Sequence, residues 1–175
     1  MSRRSAIVVG VVVCAALGLM VTSITLLRSL LPSTGREPSN LDVSLAEIAP
    51  GSFRVVKWNS WPVAIVRPSA AMIEALRTGT SLTWDKKAIG NPAPRAFVFN
   101  KVSTAHLCTL EYAAPAQSHF HSYDHWPGGF FDPCDHGEWD YAGRALKPPY
   151  SAKRLADLSS PKYEITSKGV VRLLR

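Results

Sequence analysis

Charge is missing from residues 6–27 (AIVVGVVVCAALGLMVTSITLL), where Thr and Ser are the only polar side chains. At about 1.5 Å of rise per residue, roughly 20 helical residues cross a hydrocarbon core, so residues 1–30 are expected to form an N-terminal transmembrane anchor. A cleaved signal peptide is the competing expectation, but the apolar run is longer than a usual signal core and no A-x-A-like exit precedes Arg28. The bulky Val13 before Cys14 argues against a lipoprotein. Ser2-Arg3-Arg4 resembles the opening of a twin-arginine signal, which Ala6 and Ile7 do not continue. Arg3, Arg4 and the amino terminus outweigh Arg28, which orients the remainder of the chain outside the cytoplasm.

Residues 31–40 (LPSTGREPSN) change character: two prolines, a glycine and small polar residues have little apolar surface to bury. This reads as a solvated hinge of up to roughly 33 Å when extended. A folded domain is expected over 41–175. Asp42 and Ser44 sit in its opening segment, 41–49, and Pro50-Gly51 marks a turn. Residues 52–56 (SFRVV) and 62–66 (PVAIV) are β-branched runs flanking residues 57–61, a hairpin turn. Residues 69–79 (SAAMIEALRTG) read as a short helix capped by Ser69, with Met72, Ile73 and Leu76 on one face and Gly79 at its end. Residues 96–99 (AFVF) form a candidate buried strand. Residues 163–165 and 170–174 form two strands around Ser167-Lys168-Gly169. Many short strands between Pro and Gly turns predict an all-β class, an antiparallel sandwich or small barrel.

Composition changes the picture in one place. The chain has 175 residues and a formal charge of +7, but residues 104–143 contribute −6 and the rest +13. The positive charges form no run, and without a contiguous basic stripe no nucleic-acid interface is expected. Residues 104–144 hold all five histidines (His106, His119, His121, His125, His136), two of the three cysteines (Cys108, Cys134) and six acidic residues. His106-x-Cys108 and Cys134-x-His136 are mirrored pairs, the pattern of two loops that each supply two metal ligands. Residues 118–127 (SHFHSYDHWP) add His119, His121 and His125 near Asp124, either a transition-metal site or an exposed insertion. No G-x-S-x-G elbow frames a serine nucleophile, and no Gly-rich phosphate loop occurs.

The phrase FFDPCDHGEWDYAGR at 130–144 resembles the second cluster-binding loop of Rieske iron–sulfur proteins, normally F-C-P-C-H-G-S-x-Y-D-x-x-G-R. Residues 104–108 (TAHLC) resemble the first, normally C-T-H-L-G-C. The basic-flanked anchor and hinge are similar to those of the Rieske subunit of cytochrome bc1 (ubiquinol–cytochrome c reductase) complexes. Residues 51–66 resemble its strand pair G-x-x-x-x-V-x-W-x-G-x-P-V-x-I, and the terminal hairpin its closing one. The resemblance implies a Rieske-like fold of three antiparallel sheets with the cluster loops at one tip. It also implies a [2Fe–2S] cofactor and electron transfer from quinol to a c-type cytochrome. The expected partners are cytochrome b and cytochrome c1-like subunits, with the folded domain on the periplasmic side of the cytoplasmic (inner) membrane.

A Rieske centre needs two Cys thiolates on one iron and two His on the other. Aligned on His106, the first ligand Cys is replaced by Thr104; aligned on Cys108, it is Ser103 and the ligand His is lost. Asp132 stands at the second ligand Cys. Asp135 falls on the second ligand His without a gap, and His136 does with one inserted residue. Glu138 lies near the family's Ser. Three readings stay open: a Cys108–Cys134 disulfide, the family's staple, with no cluster; a metal or cluster on His106, Cys108, Cys134 and His136; or two inert core thiols. Three functions are expected: a Rieske-like subunit, a non-redox structural or assembly subunit that keeps the fold and the disulfide, or a periplasmic metal-binding module using the histidine tract. The acidic tip also suits a basic partner such as a c-type cytochrome.

Overall fold

A computed structural model of the chain describes residues 3–30, 40–115, 126, 128–147 and 154–175, with helix side chains from residue 12 to 28 in the N-terminal segment. The chain separates into two compact units, residues 1–37 and 38–175. In the first, α1 (Arg3–Leu30) is one helix of 28 residues with Arg28 in its last turn. Val12, Leu17, Leu19, Met20, Ile24 and Leu27 are exposed along it. Among the described residues no helix is long and apolar enough to cross a membrane. The hinge positions 31–39 and the tract holding His119, His121, Asp124 and His125 lie outside the described residues.

The second unit is mostly β, as the patterning predicts, in three antiparallel three-stranded sheets. β1 (Asn40–Ser44), β8 (Tyr163–Ile165) and β9 (Val170–Leu174) form one, in the order β1-β9-β8. β2 (Ser52–Trp58), β3 (Trp61–Arg67) and β4 (Phe97–Asn100) form the second. β5 (Glu111–Ala113), β6 (Gly129–Phe131) and β7 (Glu138–Trp139) form the third.

The continuous apolar run at 62–66 is explained by its place between two cores. On β3, Ala64 and Val66 join a cluster with Phe99, Phe130, Trp139 and Tyr141, while Val63 and Ile65 join one with Val43, Ile48, Val171 and Leu173. Alternate residues of a strand point to opposite faces, so a strand buried on both faces needs apolar residues throughout. The β2–β3 turn is tighter than expected: Trp58 pairs with Trp61, leaving Asn59 and Ser60 as a two-residue loop with φ of 46° and 67°. Two positive φ values match the right-handed twist of a hairpin. Helix α2 (Ala70–Thr78) starts where expected, with the Ser69 hydroxyl accepting from the Met72 N–H at 3.2 Å, and Met72 and Leu76 buried.

Candidate cluster-type loops

Two loops carry the predicted site residues, one between β4 and β5 and one between β6 and β7. They share a single hydrogen-bond scheme. In the first, the Ser103 N–H donates to the Cys108 carbonyl (2.8 Å), the Leu107 N–H to the Ser103 carbonyl (3.3 Å), and the Ala105 N–H to the Ser103 hydroxyl (3.2 Å). In the second, the Asp132 N–H donates to the Gly137 carbonyl (2.8 Å), the His136 N–H to the Asp132 carbonyl (2.9 Å), and the Cys134 N–H to Asp132 Oδ1 (2.8 Å). Leu107 and His136, each four residues past its Ser or Asp, adopt φ of 58° and 61°. Short polar side chains that accept from the backbone two residues on favour such turns.

Cys108 and Cys134 are joined to each other in a disulfide, with Cα atoms 6.5 Å apart and a sequence separation of 26. The staple ties the two loops, and of the three cysteines only Cys14, in α1, is free. Closing a loop of that length stabilises by roughly 2–4 kcal/mol in the chain-entropy account.

The mirrored histidines do not join the sulfurs in one ligand group among the described residues. His106 Nε2 lies 3.2 Å from Asp135 Oδ2, and His136 is exposed. The side chains whose ligand atoms lie within 4.8 Å of one another are Cys108, Asp132 and Cys134, and neither histidine joins them. Asp132 is fully buried, and its Oδ2 has no hydrogen-bond partner among the described residues. Thr104 is exposed, its hydroxyl donating to the Ala156 carbonyl at 3.3 Å. Leu107 is 69% exposed at the apex of the first loop. Glu138 is buried on β7.

Behind the loops, the segment D-Y-A-G-R is a buried lock. Asp140 Oδ1 accepts from the Ala142 and Arg144 N–H groups (2.9 and 3.0 Å), and its Oδ2 accepts from Arg144 Nε (2.6 Å). The Arg144 guanidinium continues to the Leu76 carbonyl (2.7 Å) and Thr80 hydroxyl (3.2 Å), fastening the turn to the end of α2. The Trp139 indole donates to the Ala156 carbonyl at 2.9 Å. Ser103 and Asp132 are expected from the sequence as substituted ligand positions, and their role as acceptors that shape each loop is what the sequence reading misses. The signal for both was present in the matched placement of a short polar residue five positions before Cys108 and five before Gly137.

No family model matches the chain. It is 29% identical over 174 residues, 98% of this chain and 93% of the relative, to the ubiquinol-cytochrome c reductase iron-sulfur subunit of Rickettsia conorii. Among solved structures it is similar to a chain of a hyperthermophilic respiratory Complex III, with a TM-score of 0.47, 16% identity, and coverage of 94% of this chain and 98% of that one. It is also similar to the cyanobacterial plasma membrane Rieske protein PetC3 from Synechocystis, with a TM-score of 0.43, 15% identity, and coverage of 77% and 98%. The resemblance read from the two loops is therefore matched by a relative along nearly the whole chain.

Proposed function

We propose that this chain is a membrane-anchored, Rieske-like subunit of a bc1-type quinol–cytochrome c reductase that keeps the family's two-loop cradle without its [2Fe–2S] cluster. The Cys108–Cys134 disulfide carries this reading. A Rieske centre takes two thiolates and two imidazoles. The folded domain contains no cysteine beyond the stapled pair, so its donor set does not fit that cluster.

Backbone conformation supports the ungapped register. Ser60, Leu107 and His136 have φ of 67°, 58° and 61° and stand where the family motifs hold Gly. Left-handed backbone is the conformation that normally selects Gly. In that register Ser103 and Asp132 occupy the ligand Cys positions, and Ala105 and Asp135 the ligand His positions. Thr104 then lies one residue past the first, His106 and His136 lie beside the ligand positions, and Gly137 rather than Glu138 takes the place of the family's Ser.

The role that follows is structural or in assembly, beside cytochrome b and cytochrome c1-like subunits. The electron transfer of the family has no carrier in these loops. The exposed apolar side chains of α1 are suited to lipid, and Arg3 and Arg4 before them favour a periplasmic domain. Purified full-length protein should contain no stoichiometric iron or acid-labile sulfide and give no EPR signal after dithionite. It should also co-purify with cytochrome b from mild detergent. A reduced-state iron–sulfur signal accounting for one cluster per chain would overturn the reading.

A further inference from the structure

Asp132 presents a chemistry that stapling the loops does not require. Its side chain is fully buried, one oxygen accepts from the Cys134 N–H at 2.8 Å, and the other has no hydrogen-bond partner among the described residues. Buried carboxylates ordinarily meet a cation or enough donors to satisfy both oxygens. The ligand atoms close to it are the two disulfide sulfurs, all three within 4.8 Å of one another.

From this geometry we infer that the staple is a redox-gated metal site: once reduced, Cys108 and Cys134 bind a zinc-type divalent cation together with Asp132. This rests on the reading that no cluster occupies the loops. The donor set of two thiolates and one carboxylate suits a borderline-soft, tetrahedral ion. In such a site metal–sulfur and metal–oxygen bonds of about 2.3 and 2.1 Å place the ligand atoms roughly 3.5–3.8 Å apart. The three ligand atoms already lie within 4.8 Å of one another, and once reduced the two sulfurs need only part from bonding distance. Hydrogen bonds within each loop fix its own backbone, so each loop presents its ligands in a set conformation.

Access follows from exposure. Cys134 is on the surface and Cys108 partly so. A dithiol reductant attacks one sulfur, passes through a mixed disulfide, and leaves as its own cyclic disulfide. Two electrons and two protons are thereby delivered to give Cys108–SH and Cys134–SH. Metal binding then displaces both thiol protons, and two thiolates plus the carboxylate surround the dication. Water completes the fourth position on the exposed side. The oxidised protein, with its sulfurs bonded to each other, offers only the carboxylate.

Cobalt(II) is the probe, since thiolate coordination gives it a near-ultraviolet charge-transfer band. Full-length protein in detergent is titrated before and after reduction by a dithiol that is then removed under argon. The reduced protein should take up one cobalt per chain with the charge-transfer band, and zinc should displace it. The oxidised protein should show no band. Asp132→Ala should weaken reduced-state affinity at least tenfold, and Cys108→Ser with Cys134→Ser should abolish binding. Far-ultraviolet circular dichroism on the same samples follows the fold. Absence of the band in the reduced protein, or equal affinity in Asp132→Ala, overturns the inference, as does a reduced chain that unfolds and is not refolded by metal. Iron and sulfide in the protein as isolated would instead overturn the cluster-free reading on which the inference stands.

Discussion

Arg144 and Asp132 are both buried, yet the fold treats them differently. The Arg144 guanidinium meets Asp140, the Leu76 carbonyl and the Thr80 hydroxyl. Removing one partner of a buried ion pair leaves the other uncompensated, at a cost of about 3–5 kcal/mol. Arg144→Met should therefore lower stability by about that much in urea unfolding, and a loss below about 1 kcal/mol would show that Asp140 does not depend on it. Arg144 was legible in sequence as part of D-Y-A-G-R, a match at every fixed letter to the loop motif. Asp132 was legible only as a substitution. Its buried, half-satisfied state depends on β6 and β7 closing over it, which no local pattern records.

At the scale of elements, the hairpins and α2 were readable because each carries its own signal: β-branched runs, a Ser cap and a closing Gly. The sheet of β5, β6 and β7 was not, since strands of three, three and two residues are too short to show alternation. Its constraint appears instead at Gly129, with φ of 155°, where an added Cβ would stand 2.2 Å from the Trp139 carbonyl oxygen. That contact is backbone on β7 and cannot swing aside. Gly129→Ala should push β6 off β7, cost more than about 1 kcal/mol, and speed amide exchange across both strands.

The sheet of β1 and β9 has an electrostatic tie of another kind. Arg172 donates from Nε and Nη2 to the two Asp42 oxygens at 2.8 and 2.9 Å, and this hydrogen bonding lowers the Asp42 pKa. A depressed carboxyl pKa contributes stability that is complete above the unfolded-state value, about 3.9, and is lost as pH falls through the folded-state value. The unfolding midpoint of Asp42→Asn should fall less than that of wild type between about pH 4 and pH 2, while the two curves run parallel near neutrality. High salt should shrink the difference, because the pair is exposed.

For the whole molecule, three sheets packed on hydrophobic clusters explain why the fold class was legible although the chemistry was not. Hydrophobic clusters on both faces of β3 tolerate many apolar sequences, so the pattern of apolar positions rather than particular residues specifies this sheet. Residues 38–175 form a compact unit with their own cores. Expressed alone, they should unfold in one cooperative transition. Replacing Cys108 and Cys134 by Ser together should lower that transition by roughly 2–4 kcal/mol without abolishing it. Two separated transitions would show that the loop-bearing sheet unfolds independently of the others.

The shared hydrogen-bond scheme of the two loops has a consequence for protein engineering. Conformational information is stored there in main-chain bonds and one side-chain acceptor per loop, Ser103 in the first and Asp132 in the second. Side chains at positions that make none of these bonds can therefore change without altering the loop conformation. A quadruple variant carrying Ser103→Cys, Ala105→His, Asp132→Cys and Asp135→His rewrites four letters and leaves the disulfide in place. Iron uptake by that variant, read from its visible absorption, would measure how far the loop backbone alone is shaped to hold a cluster.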